Sequence, residues 1–391
     1  MAGERATFAR VKRESGLLWA STLALDRVVP FGALRLWPPR VVAAARLAEQ
    51  VETILRAWGL SEEHAAITVE KILYADLHGI DSHGCSKLHF YQQLREAGRL
   101  NPKPAVEVVR EGEATVLIDG GGGLGHVPAS LAMEQAIDRC LATGVGVAAV
   151  RNSGHYGAAG AYAAMAAERG LIAVVTTSTP TRTVVPTFGR EAMLGSNALA
   201  VAAPAARNRP FLLDMATSTV SLGKLVERWR SGRRIPSGWA LDERGRTVRG
   251  GRAAVRHRRL APLGGDAETS GYKGYGLALA VEILSALLPG VDVAGSGDEG
   301  RPVGHFFLAL DPAAFREQGA LAGELDELID SLHETPPANP GQPVLVPGDP
   351  EERVFAERSV RGIPLARGVF EDIRAVAIAS GVPFILDQDR S

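Results

Sequence analysis

From residue 104 onward, short runs of β-branched and small apolar residues alternate with helical stretches, and glycines punctuate the joints. Residues 106–109, 114–118, 146–150 and 171–176 read as strands, whereas 129–142 and 158–169 read as helices stopped by Gly144 and Gly170. Such alternation predicts an α/β fold, a sheet covered by helices on both faces. No repeat of fixed period competes with it. Upstream, residues 44–74 carry a helical pattern. Leu47, Val51, Ile54 and Leu55 recur at three- and four-residue spacing, as do Ala65, Ala66, Val69 and Ile72 past the break at Gly59. At 391 residues the chain holds two or three domains, or one with a large insertion.

Composition narrows the class. A hydrophobic share of 46% and a charged share of 22% suit a soluble globular protein. The formal net charge of −1 offers no field for nucleic acid or an anionic membrane, so neither is expected as partner. Cys85 and Cys140, the only cysteines, imply no disulfide framework and suit a reducing compartment, the cytoplasm. No apolar run reaches the roughly 18 residues of a membrane-spanning helix. The first 37 residues stand apart: Arg5, Arg10, Lys12 and Arg13 precede an apolar run at 16–25 with the outline of a secretory signal. Asp26 and Arg27 interrupt that run and no small-residue cleavage site comes after it. A disordered leader, or a start upstream of the true one, is expected there, with the patterned chain beginning near Pro38.

Two turns concentrate chemistry. Asp76-Leu-His-Gly-Ile-Asp-Ser-His-Gly-Cys-Ser-Lys87 follows the helical pattern and crowds acid, base and hydroxyl groups where a rigid scaffold holds binding side chains. The same composition also suits a polar turn whose His78 and His83 satisfy backbone groups. Arg151-Asn-Ser-Gly-His-Tyr-Gly157 closes a strand at the edge where α/β proteins bind ligands. Gly154 and Gly157 flank His155 there and let the backbone approach a ligand; a histidine capping the next helix is the alternative. The two turns reinforce each other, because proton transfer near neutral pH favours imidazole.

Three further motifs are weaker. Gly120-x-Gly122-x-x-Gly125 matches the dinucleotide fingerprint, but Arg151 stands where the ribose-binding acid is expected, and four glycines in a row match such patterns by chance. His78, Asp81, His83 and His89 lack metal-ligand spacing, so no metal is expected. Arg244, Arg246, Arg249, Arg252, Arg256, His257, Arg258 and Arg259 form a basic stretch without the interleaved aromatics of a nucleic-acid arm. It reads as a solvated loop, with a 2′-phosphate contact as the alternative.

In order, the chain also carries Asn152-Ser-Gly-His-Tyr-Gly, Gly195-Ser-Asn197, Asp214-Met-Ala-Thr-Ser218, Ile235-Pro-Ser-Gly-Trp-Ala240, Pro262-Leu-Gly-Gly, Tyr272-Lys-Gly-Tyr-Gly-Leu277 and Pro347-Gly-Asp349. With the first histidine turn, this string resembles the type 2 malate/L-lactate dehydrogenase family, over about residues 40 to 380. That family also holds ureidoglycolate and sulfolactate dehydrogenases, diketogulonate reductase and cyclic imino-acid reductases. The resemblance implies a non-Rossmann, L-sulfolactate-dehydrogenase-like fold: α/β, a mixed sheet flanked by helices, with an N-terminal helical region. The Gly120 fingerprint therefore drops to second place. The implied layout is a leader over 1–37, a helical region over 38–103, a coenzyme- and substrate-binding core over 104–345, and a segment over 346–391 that packs back on the core.

The resemblance also implies an activity. It is hydride transfer between NAD or NADP and a small 2-hydroxy or 2-oxo acid, in a homodimer. Alternatives are reduction of a cyclic imino acid such as piperideine-2-carboxylate, and an inactive coenzyme-binding homologue. His83 matches the histidine taken as proton donor to the substrate carbonyl, and His155 the one taken as proton acceptor in ureidoglycolate-type members. Ser82 and Lys87 match substrate-binding positions, although the family usually has arginine at the latter. Lysine keeps the charge and loses the bidentate fork. The coenzyme positions implied are Ser178, Thr179, Asn197, Asp214, Met215, Ala216, Thr217, Lys273, Gly348, Asp349 and Pro350; Asp214 to Ser218 also suit a helix N-cap.

Overall fold

The computed structural model describes residues 38–230, 232–291 and 302–387; the expected leader lies outside the described residues. After a short strand β1 (Arg40–Val42), the pattern over 44–74 resolves into two helices, α1 (Ala44–Trp58) and α2 (Glu62–Leu77). Gly59 ends the first at φ +104°, a left-handed conformation that glycine adopts without strain. Ser61 starts the second by accepting the His64 amide at 3.1 Å, with Glu62 and Glu63 complementing the helix dipole.

The chain continues through α3 (Leu88–Glu96), β2 (Glu107–Glu111), β3 (Thr115–Asp119), α4 (His126–Thr143), β4 (Val145–Ser153), α5 (Gly160–Ala167), β5 (Ile172–Thr177), β6 (Ala198–Ala203) and β7 (Phe211–Ala216). Then come α6 (Leu222–Arg230), α7 (Gly251–His257), α8 (Gly271–Glu282), β8 (Val303–Leu310), α9 (Ala320–His333), α10 (Asp349–Arg361), β9 (Ile363–Leu365) and α11 (Arg367–Ala379). The terminal elements share one core: Leu47, Ile54, Ile72 and Leu88 pack with Ile363, Phe370 and Ile373.

Seven strands form one sheet in the order β2-β3-β4-β8-β5-β6-β7. Only β3 and β4, joined across α4, run parallel; every other neighbouring pair is antiparallel. This mixed sheet agrees with the architecture that the resemblance implies. One face buries Ile118, Val150, Val175 and Phe307 under α4 and α5. On the other lie α8 and its π-helical continuation, where the Ser285 and Thr176 hydroxyls meet at 2.6 Å.

The register fixes where functional loops emerge. A single line across the sheet joins Ile118, Val150, His305, Thr177, Ala198 and Ala216. Just beyond it lie the turns carrying Gly120–Gly125, His155, Ser178–Thr179, Asn197 and Thr217. β4 runs three residues past the expected stop at 150, and its pairing slips between Val150 and Ser153, where Asn152 takes φ +50°. Such an irregularity bends a strand and re-aims the side chains of the turn after it.

The basic stretch expected as a solvated loop is partly folded. Ala254 in α7 and Leu260 bury themselves with Val184, Leu225, Ile235 and Ala240, while Arg246 pairs with Asp242 at 3.0 Å. The arginines between those apolar residues obscure their pattern in the sequence.

Candidate active site

The first histidine turn is built on a buried acid. The Asp76 carboxylate accepts the Cys85 amide at 2.8 Å, and a Cβ on Gly84 would lie 1.9 Å from its Oδ1, so only glycine fits there. Arg358 of α10 clamps the turn from outside, bonding the Asp76 carbonyl and the Asp81 carboxylate. His78 is spent on the scaffold: its Nδ1 meets the Tyr74 carbonyl at 2.8 Å, and its ring lies against Tyr74 and Phe355. Ser82 is left exposed on this frame, while His83 and Lys87 are half-buried, the Lys87 Nζ lying 5.9 Å from the centre of the Phe90 ring.

His155 arrives from the bulged end of β4. Its ring stacks on that of His83, with centroids 5.5 Å apart and planes 22° from parallel. The Gly157 amide points at Nδ1 of His155 at 3.2 Å and the Tyr91 hydroxyl at 2.7 Å. An amide can only donate, so the neutral His155 ring carries its proton on Nε2. Nδ1 of His83 meets the Ser82 hydroxyl at 2.8 Å. Among the described residues no protein group occupies Nε2 of either ring.

Burial, and then the charge of Lys87, push the His83 imidazole down to about 3; the same two causes, with the neighbouring histidines, hold His155 well below its ordinary value. Rings this close accept a proton as a coupled pair rather than independently. Both are therefore neutral at physiological pH.

A second cluster lies along the same sheet edge. A cleft of about 380 Å³, open to solvent, is lined by Ser178, Thr179, Arg182, Met193, Gly195 and Glu282, among others. Gly195 is obligatory, since a Cβ there would stand 1.8 Å from the Thr179 hydroxyl. Thr217 adjoins this edge through its 3.1 Å bond to the Ser196 carbonyl, and exposed Lys273 opens α8 beside Leu263, whose amide bonds the Thr217 carbonyl. The cleft brings the Ser178–Thr179 main chain and the Arg182 side chain together, a polar lining with one cation that fits the pyrophosphate of a nicotinamide dinucleotide, while the Ser178 and Thr179 hydroxyls bond Gly304 and Asn197.

Other expected coenzyme residues are consumed by the fold. The Asn197 amide bonds Thr179, the Ala278 carbonyl and Glu282, so it shapes the cleft wall. Asp214 lies in a strand rather than at a cap of its own helix, and its carboxylate accepts the Gly160 amide at the start of α5. Met215 and Ala216 pair with Leu199 and Ala198 inside β7. Asp349 accepts the Val346 amide and contacts His333, both at 2.7 Å; with Gly348 and Pro350 it lies near Leu212, at the opposite end of β7 from Thr217.

The Gly120–Gly125 loop does not cradle phosphate. Amides of Gly120, Gly122 and Gly125 bond the carbonyls of Arg151, Asn152 and His155, and that of Gly121 bonds Asp119. A Cβ at Gly125 would sit 2.3 Å from the Gly154 carbonyl oxygen, so these glycines let two loops touch. Arg151 pairs with Asp119 at 3.1 Å.

Two side chains escaped the sequence reading. Tyr91 lies eight residues past His83, and His305 sits in the apolar run of β8, where a lone polar residue was the only signal.

The comparisons with known proteins agree with this fold. A family model described as malate/L-lactate dehydrogenase matches residues 42–374. A malate dehydrogenase of Pyrococcus abyssi is 38% identical over 338 residues, covering 85% of this chain and 92% of that protein. An L-sulfolactate dehydrogenase of Methanocaldococcus jannaschii is 35% identical over 334 residues, covering 84% and 93%. The structure of malate dehydrogenase from Pyrococcus horikoshii OT3 superposes with a TM-score of 0.80 at 34% identity, covering 89% of this chain and 97% of that one. Fold and relatives together define an oxidoreductase of the dehydrogenase class, one that uses a nicotinamide coenzyme. Within that class, the chain belongs to the malate/L-lactate dehydrogenase family.

Proposed function

We propose that the chain moves a hydride between NAD or NADP and a small 2-hydroxy or 2-oxo acid, with His83 and His155 handling the proton. One observation carries this reading: two imidazoles from distant loops stack 5.5 Å apart, each with Nε2 unspent among the described residues. When bound, the nicotinamide ring accepts or returns the hydride. Ser178, Thr179 and exposed Lys273 would hold the coenzyme, with Arg182 beside Ser178 and Thr179 in the cleft.

The tautomers divide the labour. His155 carries Nε2–H, so it donates a hydrogen bond to the substrate oxygen. His83 directs Nδ1–H to Ser82, which leaves its Nε2 lone pair to take the hydroxyl proton during oxidation; in reduction the same atom returns it. Ser82, accepting from His83, keeps its own hydroxyl proton for the substrate. Lys87 faces the substrate carboxylate with a single charge.

A homodimer completes the proposal. Tyr272, Leu279, Ile283, Leu287 and Leu288 form an exposed apolar row along α8 and its continuation, of the kind that marks a protein interface. A cytoplasmic location goes with the two unpaired thiols, Cys85 and Cys140. The test is a panel of malate, lactate, ureidoglycolate, their 2-oxo partners and piperideine-2-carboxylate, each with NAD(H) and NADP(H). Turnover of a 2-hydroxy acid that is abolished in both His83→Ala and His155→Ala is expected. Full activity in both variants would reject the assignment.

A further inference from the structure

His305 is a fully buried polar side chain near the site and has no part in the proton chemistry above. It lies in β8, between the ends of β4 and β5. Its Nδ1 lies 2.8 Å from the Thr177 hydroxyl and its Nε2 lies 3.0 Å from the Ser153 hydroxyl. Its ring lies flat on Tyr156, with centroids 4.4 Å apart and planes 3° from parallel. Tyr156 is itself pinned, since its carbonyl accepts the Tyr162 hydroxyl at 2.6 Å.

The Thr177 hydroxyl lies within hydrogen-bond distance of both the Ser178 carbonyl, at 3.0 Å, and Nδ1 of His305, at 2.8 Å. Nε2 lies against the Ser153 hydroxyl, and the neighbouring Gly154 carbonyl also takes a hydrogen bond from the ring. The result is one run of donors and acceptors, Ser153 to His305 to Thr177 to the Ser178 carbonyl. It starts two residues before His155 and ends at the residue that lines the cleft.

We propose that His305 is a positioning residue that fixes the His155 turn against the coenzyme-side strand end, through Ser153 and Tyr156 on one flank and Thr177 on the other. This rests on the proposed role of His155. The bulge between Val150 and Ser153 removes ladder bonds where the turn begins, and His305 supplies the tie that the ladder lacks. Without it the His155 ring loses its set distance to His83, and a displacement of about 1 Å costs on the order of 10²-fold in rate.

Two substitutions separate the two flanks. Asparagine at 305 places an amide near the Nδ1 position and retains the Thr177 bond only. Glutamine reaches the Nε2 position and retains the Ser153 bond only. His305→Asn and Ser153→Ala are expected to lower kcat by roughly 10- to 100-fold with little change in coenzyme KM. His305→Gln should recover most of kcat and raise coenzyme KM. Imidazole nitrogen NMR, with His155 assigned by its loss in His155→Ala, should show the His155 ring leaving its Nε2–H tautomer in Ser153→Ala. Wild-type kcat and unmoved His155 resonances in Ser153→Ala, or equal kcat in His305→Asn and His305→Gln, would overturn the proposal. Activity retained by His155→Ala would instead sink the role of His155 itself.

Discussion

The Tyr91 hydroxyl lies 2.7 Å from Nδ1 of His155, tying a helix of the terminal core to a strand end 64 residues further along the chain. Tyr91 is fully buried, and burial raises its phenol far above the ordinary value, so it stays a neutral donor at every working pH. Tyr91→Phe removes one of the two donors that hold Nδ1 unprotonated and leaves the Gly157 amide in place. A fall in kcat of about tenfold is expected, with coenzyme binding and melting temperature close to wild type. Unchanged kcat across pH 6–9 would show that the amide alone sets the ring.

How much of this is legible in the sequence varies by residue. The two histidine turns are, because each is a glycine-flanked polar turn and turn chemistry is local; that the His83 and His155 rings meet is implied by the family resemblance and by neither turn alone. The strands are too, to within a few residues, since alternation of apolar runs is also a local signal. Tyr91 and His305 are not: their partners lie on other elements, and a lone tyrosine or histidine in an apolar run carries no record of what it faces. Asn197 and Asp349 show the reverse. Their residue types suit a ligand, yet Asn197 spends both amide atoms on Thr179, Ala278 and Glu282, and one Asp349 carboxylate oxygen is taken by the Val346 amide and His333. The Gly120 loop matches a phosphate cradle in letters while its amides are committed to the chain.

The depressed imidazoles set the pH response. Burial and Lys87 lower both rings, so the proton-accepting form persists well below pH 6.5. The kcat/KM for oxidation is therefore expected to stay flat from pH 8 to below pH 6, with no inflection near the ordinary histidine value. Lys87→Met removes one lowering influence and should move the acid limb upward. A wild-type inflection near 6.5 would contradict this picture.

Lys87 also stands where the resemblance implies arginine, and it offers a point charge in place of a fork. Lys87→Met should raise KM for the 2-oxo acid by roughly 10- to 100-fold, the cost of losing a charged hydrogen bond, without changing coenzyme affinity. Lys87→Arg should lower that KM several-fold. Coenzyme and substrate KM values measured in parallel decide it; an unchanged substrate KM in the methionine variant removes Lys87 from the carboxylate site.

The acid beneath the first histidine turn makes a stability prediction whose sign can be worked out. Burial raises the Asp76 carboxyl from an ordinary 3.8 to about 7, against the opposing effect of the Cys85 amide. Below pH 4 the acid is protonated in folded and unfolded chains alike and contributes nothing. Between pH 4 and 7 only the unfolded chain releases the proton, so stability falls as pH rises; above 7 the full cost, on the order of a few kcal/mol, persists. Asp76→Asn cannot ionise and keeps an oxygen for the Cys85 amide, so it should gain on wild type by several degrees of melting temperature between pH 4 and 8. The buried histidines bias both proteins equally and cancel in the difference. If the variant loses ground as pH rises, Asp76 is held charged in the fold, and the turn carrying His83 rests on a carboxylate stabilised by its surroundings.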